Sequence, residues 1–242
     1  MARKYLILGA GSDLAKSFFK LQKFEAGDEA VLQYRTFQPA LQNFAQEHDF
    51  KLEQADFQDL GSTQAFVDKL KAQKFVPTHI LHIPAAPIEN KRFTEYAWAE
   101  AEQQFNVQVR SLWMILQILI KSMAKTGTGK IVLILTSSTK GVPPKYLSAY
   151  VAVKYALMGL GKALASEYAP KHIQVNMISP SMMETKFLQN VYAGVVEQSA
   201  AANPMGRNVH VEDVVSLVQY LFSEKNSFIT GVNIPVSGGE VF

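Results

Sequence analysis

Seven short strand-like runs, most of them apolar, punctuate the chain, and the longer stretches between them carry apolar residues every three or four positions. The runs are Lys4–Leu8, Ala30–Tyr34, Phe50–Ala55, Thr78–Ile83, Lys130–Leu135, Ile173–Ile178 and Val232–Val236. Near-continuous Ile, Val and Leu, clearest in Lys130–Leu135, predicts strands buried on both faces. Helical spacing covers Lys16–Phe24, Ser62 to about Gln73, Trp98–Lys125, the stretch through Tyr150 to about Tyr168, and Val211–Ser223. Local signals mark several ends. Thr126-Gly127-Thr128-Gly129 closes the third helix, Pro180 stops the sixth strand, and Glu212 and Asp213 lie in the first turn of the last helix. Strands alternating with helices, with no repeat or low-complexity linker, predict one α/β domain over residues 1–242, a doubly wound parallel sheet with helices on both faces. The least regular stretch, Ser181–Ala202 within a region of about 181–205, predicts a mobile loop over a substrate pocket.

Composition narrows the class. At 242 residues and 48% hydrophobic the chain can bury one sizeable core. The absence of cysteine removes disulfides, thiolate metal sites and a cysteine nucleophile together. A net charge of +3 comes from scattered Lys and Arg, which argues against a nucleic-acid partner. The opening MARKYLILGAG imitates a signal peptide, but its apolar part is short and Asp13 follows. The most apolar helical segment, Leu112–Ile120, falls far below the roughly 20 residues needed to span a bilayer. A cytoplasmic protein without membrane partners is expected. His79 and His82 lie three apart on one predicted strand, so they face opposite ways and cannot share a metal; no metal site is expected.

The candidate chemistry centres on Tyr150-Val151-Ala152-Val153-Lys154, in which a phenol and an ammonium share one helix face. A nearby cation favours the phenolate. Lowering a tyrosine from about 10 to about 7 takes roughly 4 kcal/mol, which a desolvated lysine and a cationic cofactor ring together can supply. Upstream, Gly9-Ala10-Gly11-Ser12-Asp13-Leu14-Ala15 joins the first strand to a helix, the geometry that offers backbone N–H groups to a pyrophosphate. Gly9 and Gly11 permit the turn, while Ser12 and Asp13 stand where a helix cap belongs. Arg35 follows the second strand, where an arginine suits a 2′-phosphate. Asp56, with Phe57 beside it, follows the third and is placed either to accept from an adenine amino group or to serve as a turn acid. Asn106 interrupts a helical pattern. Thr136-Ser137-Ser138-Thr139 puts hydroxyls at the end of a central strand, where open α/β sheets bind ligands.

Taken in order, these features resemble the classical short-chain dehydrogenases/reductases over essentially the whole chain. The similarity extends to YVAVKYALMGL, LASEYAPKHIQVNMISP, Glu212-Asp213-Val214, and the closing ITG and VSGG. The resemblance implies an oxidoreductase with a tetrad of Asn106, a serine, Tyr150 and Lys154. Tyr150 would be the general acid/base, and Lys154 would lower its pKa and hold the nicotinamide ribose. The serine would bond the substrate oxygen, and Asn106 would orient a water. A Ser-x-x-Gly pattern selects Ser138, with Gly141; a separation of thirteen from the tyrosine selects Ser137. Pro180, Met183 and Thr185 match the segment that meets the nicotinamide carboxamide, and Ala85 keeps a small residue beside the cofactor. Departures fall in the cofactor half. Leu8, Asp13 and Ala15 replace a threonine and two glycines, Ile83-Pro84-Ala85-Ala86 replaces Asn-Asn-Ala-Gly, and Ser181 replaces a glycine. A carboxylate at Asp13 repels a pyrophosphate unless it turns away or caps the helix. The expected function is NADP-dependent reduction of a small-molecule carbonyl, or oxidation of the alcohol, with NAD(H) the lesser cofactor. The alternative is a dinucleotide-binding sensor or scaffold. Phe187, Leu188, Val191 and Tyr192 point to an apolar pocket. A homodimer or homotetramer with Val232–Phe242 near an interface is also expected from the resemblance.

Overall fold

All seven runs become strands: β1 (Lys4–Leu8), β2 (Glu29–Tyr34), β3 (Lys51–Gln54), β4 (His79–His82), β5 (Gly129–Ile134), β6 (Ile173–Pro180) and β7 (Asn233–Val236). The computed structural model describes residues 2–188 and 191–242, so positions 189 and 190 of the expected substrate loop lie outside the described residues. The strands form a single parallel sheet in the order β3-β2-β1-β4-β5-β6-β7. Helices α1 (Asp13–Leu21), α2 (Pro39–Glu47), α3 (Leu60–Ala72), α4 (Trp98–Phe105), α5 (Ser111–Thr126), α6 (Ser148–Tyr168), α7 (Ala193–Ala202) and α8 (Val211–Phe222) complete the chain.

Strand periodicity divides the core into two layers. Leu6, Leu8, Ile80, Ile131, Leu133 and Val175 pack with Phe66 and Leu70 of α3, Leu112 and Ile115 of α5, and Leu157 of α6. Their alternates Tyr5, Ile7, Leu32, Leu81, Val132 and Ile178 pack with Phe18 of α1, Leu41 of α2, and Val214 and Val218 of α8. The doubly wound sheet expected from the pattern is what forms.

Four local features differ from expectation. α1 begins at Asp13 rather than Lys16, because the Ser12 side chain accepts from the Ala15 N–H and starts the helix early. α2 escapes the pattern because only Leu41 and Ala45 of its nine residues are buried. β6 runs on through Pro180, which pairs with Val236 at the strand's last position, where no N–H from Pro180 is needed. The long helix predicted over Trp98–Lys125 is interrupted by a π-helical turn, Asn106–Arg110, in which the Ser111 N–H bonds the Asn106 carbonyl five residues back. Such insertions redirect a helix locally and recur at functional sites.

Candidate active site

Parallel strands bring their C-terminal ends to one edge. Gly9, Arg35, Asp56, Ala85 and the Thr136–Thr139 hydroxyls follow β1 to β5, and Pro180 ends β6, so residues far apart in sequence gather there. The order reverses between β1 and β4, the switch point at which such sheets bind ligands.

At the first turn, Gly9 adopts φ +82°, and a Cβ there would sit 3.2 Å from the Pro84 nitrogen and 3.3 Å from Ile83 Cβ. Glycine is required on both counts. The buried Gln33 amide fixes the turn: its Oε1 accepts from Gly9 N at 2.9 Å and its Nε2 donates to the Ala55 carbonyl at 2.7 Å, tying the ends of β1, β2 and β3 together. The backbone N–H groups of Gly11, Asp13 and Leu14 have no partner among the described residues, and they lie at a helix N-terminus whose dipole favours an anion. These donors fit a dinucleotide pyrophosphate. Asp13 does turn away. Its Oδ2 accepts from Lys186 N at 2.9 Å, and its Oδ1 lies 3.4 Å from Lys16 Nζ, so it ties the glycine turn to the loop after β6. Gln38 crosses the same turn, donating from Nε2 to the Gly11 carbonyl at 3.0 Å.

Arg35 is exposed at the end of β2, in no ion pair among the described residues. Asp56 is a turn acid: Oδ1 accepts from Gln58 N at 2.9 Å, which leaves its second oxygen for another donor. The Phe57 ring packs in the core, edge-on to Phe66, and meets the cleft edge through its backbone only; its carbonyl accepts from Arg110 Nη2 at 3.0 Å.

α6 carries Tyr150 and Lys154, both buried. The amine lies 5.6 Å from the centre of the Tyr150 ring and donates to the Ile134 carbonyl, at the end of β5, at 2.9 Å. The pairing expected from i,i+4 spacing is present. The direction of the phenol's shift is the reverse of that expected. Burial pushes Tyr150 up to about 12, with the Thr136 side chain acting in the opposite sense. Burial also brings Lys154 down to about 7. A buried amine that is half neutral at neutral pH lends a phenol little charge, so desolvation wins in the free protein.

The hydroxyl-rich turn after β5 packs against α6, and Thr136 is its member that acts on the phenol. Thr136 Oγ1 donates to Ser138 Oγ at 3.3 Å, while Thr139 Oγ1 donates to the Thr136 carbonyl at 2.8 Å. Thr139, Ser179 and Asn233 then bond one another at 2.7–3.0 Å, fixing the turn after β5 to β6 and β7. Ser137 is buried in the same turn. Asn106 is half-buried at the π-turn, which packs against α6. Pro180 is buried, Met183 bridges to Val209, and Thr185 stands half-buried just before Lys186. The Ser181 hydroxyl is buried and unpartnered among the described residues, a polar group facing the end of β6 that a carboxamide could satisfy. Phe187 covers Tyr150, with ring centres 6.2 Å apart. Leu188 and Val191 line an open groove of about 750 Å³ with Asp13, Thr185 and Val196, whereas Tyr192 is exposed. Among the described residues no group of His, Asp or Glu could hold a metal ion, and no helix is long and apolar enough to cross a membrane.

Sequence reasoning passed over Gln33 and Gln38, and it gave Thr136 and His82 no individual role. Thr136 is the first of the hydroxyls already noted after β5. Gln33 could have been noticed as the one amide within β2, while nothing local marks Gln38, whose contact depends on how β2 and the glycine turn meet.

Comparison with known proteins agrees with this fold. A family model described as Enoyl-(Acyl carrier protein) reductase matches residues 22–240, starting where α1 ends. The 3-oxoacyl-[acyl-carrier-protein] reductase FabG of Buchnera aphidicola is 31% identical over 188 residues, covering 75% of each chain. L-xylulose reductase of Bos taurus is 27% identical over 240 residues, covering 98% of this chain and 96% of its own. The structure of a short-chain type dehydrogenase/reductase from Mycobacterium ulcerans superposes with a TM-score of 0.83 at 24% identity, covering 98% of this chain and 89% of its own.

Proposed function

This chain belongs to the short-chain dehydrogenase/reductase family, NAD(P)-dependent oxidoreductases of CH–OH and C=O groups, and from that premise we propose that it is an NADP-dependent carbonyl reductase with Tyr150 as proton donor. The observation that carries this reading is the buried Tyr150–Lys154 pair at the strands' C-terminal edge, with Lys154 anchored on the Ile134 carbonyl.

The free N–H groups of Gly11, Asp13 and Leu14 would receive the pyrophosphate, with Gly9 and Ser12 shaping the turn. Arg35 would take the 2′-phosphate and the open oxygen of Asp56 the adenine amino group. Ala85, Pro180, Ser181, Met183 and Thr185 would enclose the nicotinamide. That ring, when bound, supplies the hydride. The chain's own part is to hold and protonate the substrate oxygen. One donor of Lys154 is spent on Ile134, leaving two for the ribose hydroxyls. Thr136 and one of Ser137 and Ser138 would bond the carbonyl oxygen, and Asn106 would hold a relay water. A phenol protonated at neutral pH is in the form that reduction requires. Its general acid action contributes about 10²–10⁴-fold, on top of positioning. Phe187 over Tyr150 supports an apolar substrate. A homodimer or homotetramer is consistent with exposed Phe228 and Phe242 beside β7.

A sensor reading rests on the altered glycine turn and the Ile83-Pro84 segment, with the Gln38 amide lying across Gly11. Fluorescence titration with NADPH and NADH, followed by absorbance assays of NADPH oxidation against a carbonyl panel, separates the two. Binding with turnover supports the reductase, binding without turnover on any carbonyl supports the sensor, and no binding of either dinucleotide defeats both.

A further inference from the structure

Behind the reacting pair lies a histidine with no use in the mechanism above. His82 is the last residue of β4 and is wholly buried, and neither ring nitrogen has a partner among the described residues. By contrast, His79 on the opposite face has both nitrogens engaged, Nδ1 with the Thr78 hydroxyl at 2.8 Å and Nε2 with the Phe222 carbonyl at 3.1 Å. Two unpaired nitrogens on one buried imidazole are costly unless a water or another group completes them.

The fold puts Lys154 beside this ring. His82 pairs across the sheet with Leu133, and the next residue, Ile134, offers the carbonyl that receives the Lys154 amine. Strand alternation places His82 on the face of Ile80, which is covered by α5 and α6, the helix that carries Lys154. We propose that His82 is a positioning residue for Lys154, joined to its amine through a buried water, so that the imidazole tunes Tyr150 without touching substrate or cofactor. The proposal rests on the reductase reading for its kinetic consequences only.

Among the described residues, Lys154 is the one charged group that acts on His82. Its other neighbours on the paired strands, Leu8 and Leu133, are apolar, and Tyr150 on α6 is protonated at neutral pH. The π-turn packed on α6 supplies a further unpartnered buried acceptor, Gln108 Oε1. Burial holds the imidazole neutral down to about pH 3, so one nitrogen keeps its lone pair and the other its hydrogen. A neutral imidazole accepting from the water supports the ammonium form of Lys154, and a more cationic Lys154 favours the Tyr150 phenolate. His82 therefore lowers the pH at which Tyr150 can accept a proton from an alcohol.

The test is the pH profile of NADP⁺-dependent oxidation of the alcohol corresponding to the best carbonyl found, for the parent, His82→Val and His82→Asn. In His82→Val the rising limb moves up by about one pH unit, a tenfold lower rate at pH 8 that converges on the parent at high pH. His82→Asn, which keeps a donor and an acceptor, stays near the parent. Coincident profiles for the parent and a folded His82→Val overturn the proposal, since a merely structural defect lowers the rate without moving the limb. Should His82→Val not fold, or the parent show no turnover, ¹⁵N NMR of the ring nitrogens in the free protein decides, with His82→Asn giving the assignment. A His82 accepting nitrogen whose shift changes in Lys154→Met supports the coupling, and ring signals unchanged by Lys154→Met overturn it.

Discussion

Replacing Lys154 by methionine should make the free protein more stable while stopping turnover. Burial brings the amine from an ordinary 10.5 down to about 7, so the folded state resists protonation that the unfolded chain accepts. The unfolded state binds more protons between those two values, so this group's contribution to stability rises with pH through that window and is unfavourable below it. At about 1.4 kcal/mol per unit, holding Lys154 costs the fold about 5 kcal/mol at pH 6 and about 2 kcal/mol at pH 9. Lys154→Met removes that cost and loses the hydrogen bond to Ile134, worth roughly 1–3 kcal/mol for a charged donor. The variant's advantage should therefore grow by about 3 kcal/mol between pH 9 and pH 6. For a chain of this size that is a change of about 6–12 °C in the difference between the two melting temperatures. Thermal melts of both proteins across the pH range check this. A difference that stays constant with pH would show that Lys154 is not held in a desolvating pocket and would refute the reasoning.

Further outcomes follow from the same geometry. Arg35→Asp removes the exposed cation at the end of β2 and should raise the NADPH dissociation constant at least about tenfold relative to NADH, read by fluorescence titration; equal effects on both dinucleotides would clear Arg35 of contact with the 2′-phosphate. Thr136→Val removes the hydroxyl that opposes the upward shift of Tyr150, so the rising limb of alcohol oxidation should move to higher pH, whereas an unchanged limb would mean that Thr136 does not act on the phenol. Gly9→Ala forces a side chain into a left-handed turn against Pro84 and should lower stability by roughly 1–3 kcal/mol in denaturant melts; unchanged stability would show that the turn can relax.

The central strands were legible because strands buried on both faces must be apolar along their length, whereas β3 and β7 at the sheet's edges are only partly buried and were read from their place in the alternation of strands and helices. Edges and interruptions were less so. α2 is a weakly buried surface helix, and the π-turn at Asn106 is a backbone event whose only outward mark is one asparagine within a helical pattern. Within the site, proximity could be read from spacing: Tyr150 and Lys154 do share a face. The electrostatic balance could not, because it depends on how fully the two groups lose water. Asp13 shows the same division. Its carboxylate was seen as a problem for a pyrophosphate, but the Lys186 N–H that donates to it belongs to a loop 173 residues away. His82 looked like half of a metal pair to be dismissed, and its isolation beside Lys154 emerges only when β4, β5 and α6 are assembled.

The most direct measurement is the rate of NADPH oxidation at pH 7 by the parent and by Tyr150→Phe, with the best carbonyl at saturation and NADPH affinity measured in parallel. Loss of the phenol oxygen should lower the rate by about 10²–10⁴-fold and leave NADPH binding within a few-fold of the parent. Equal rates from the two proteins would show that Tyr150 moves no proton.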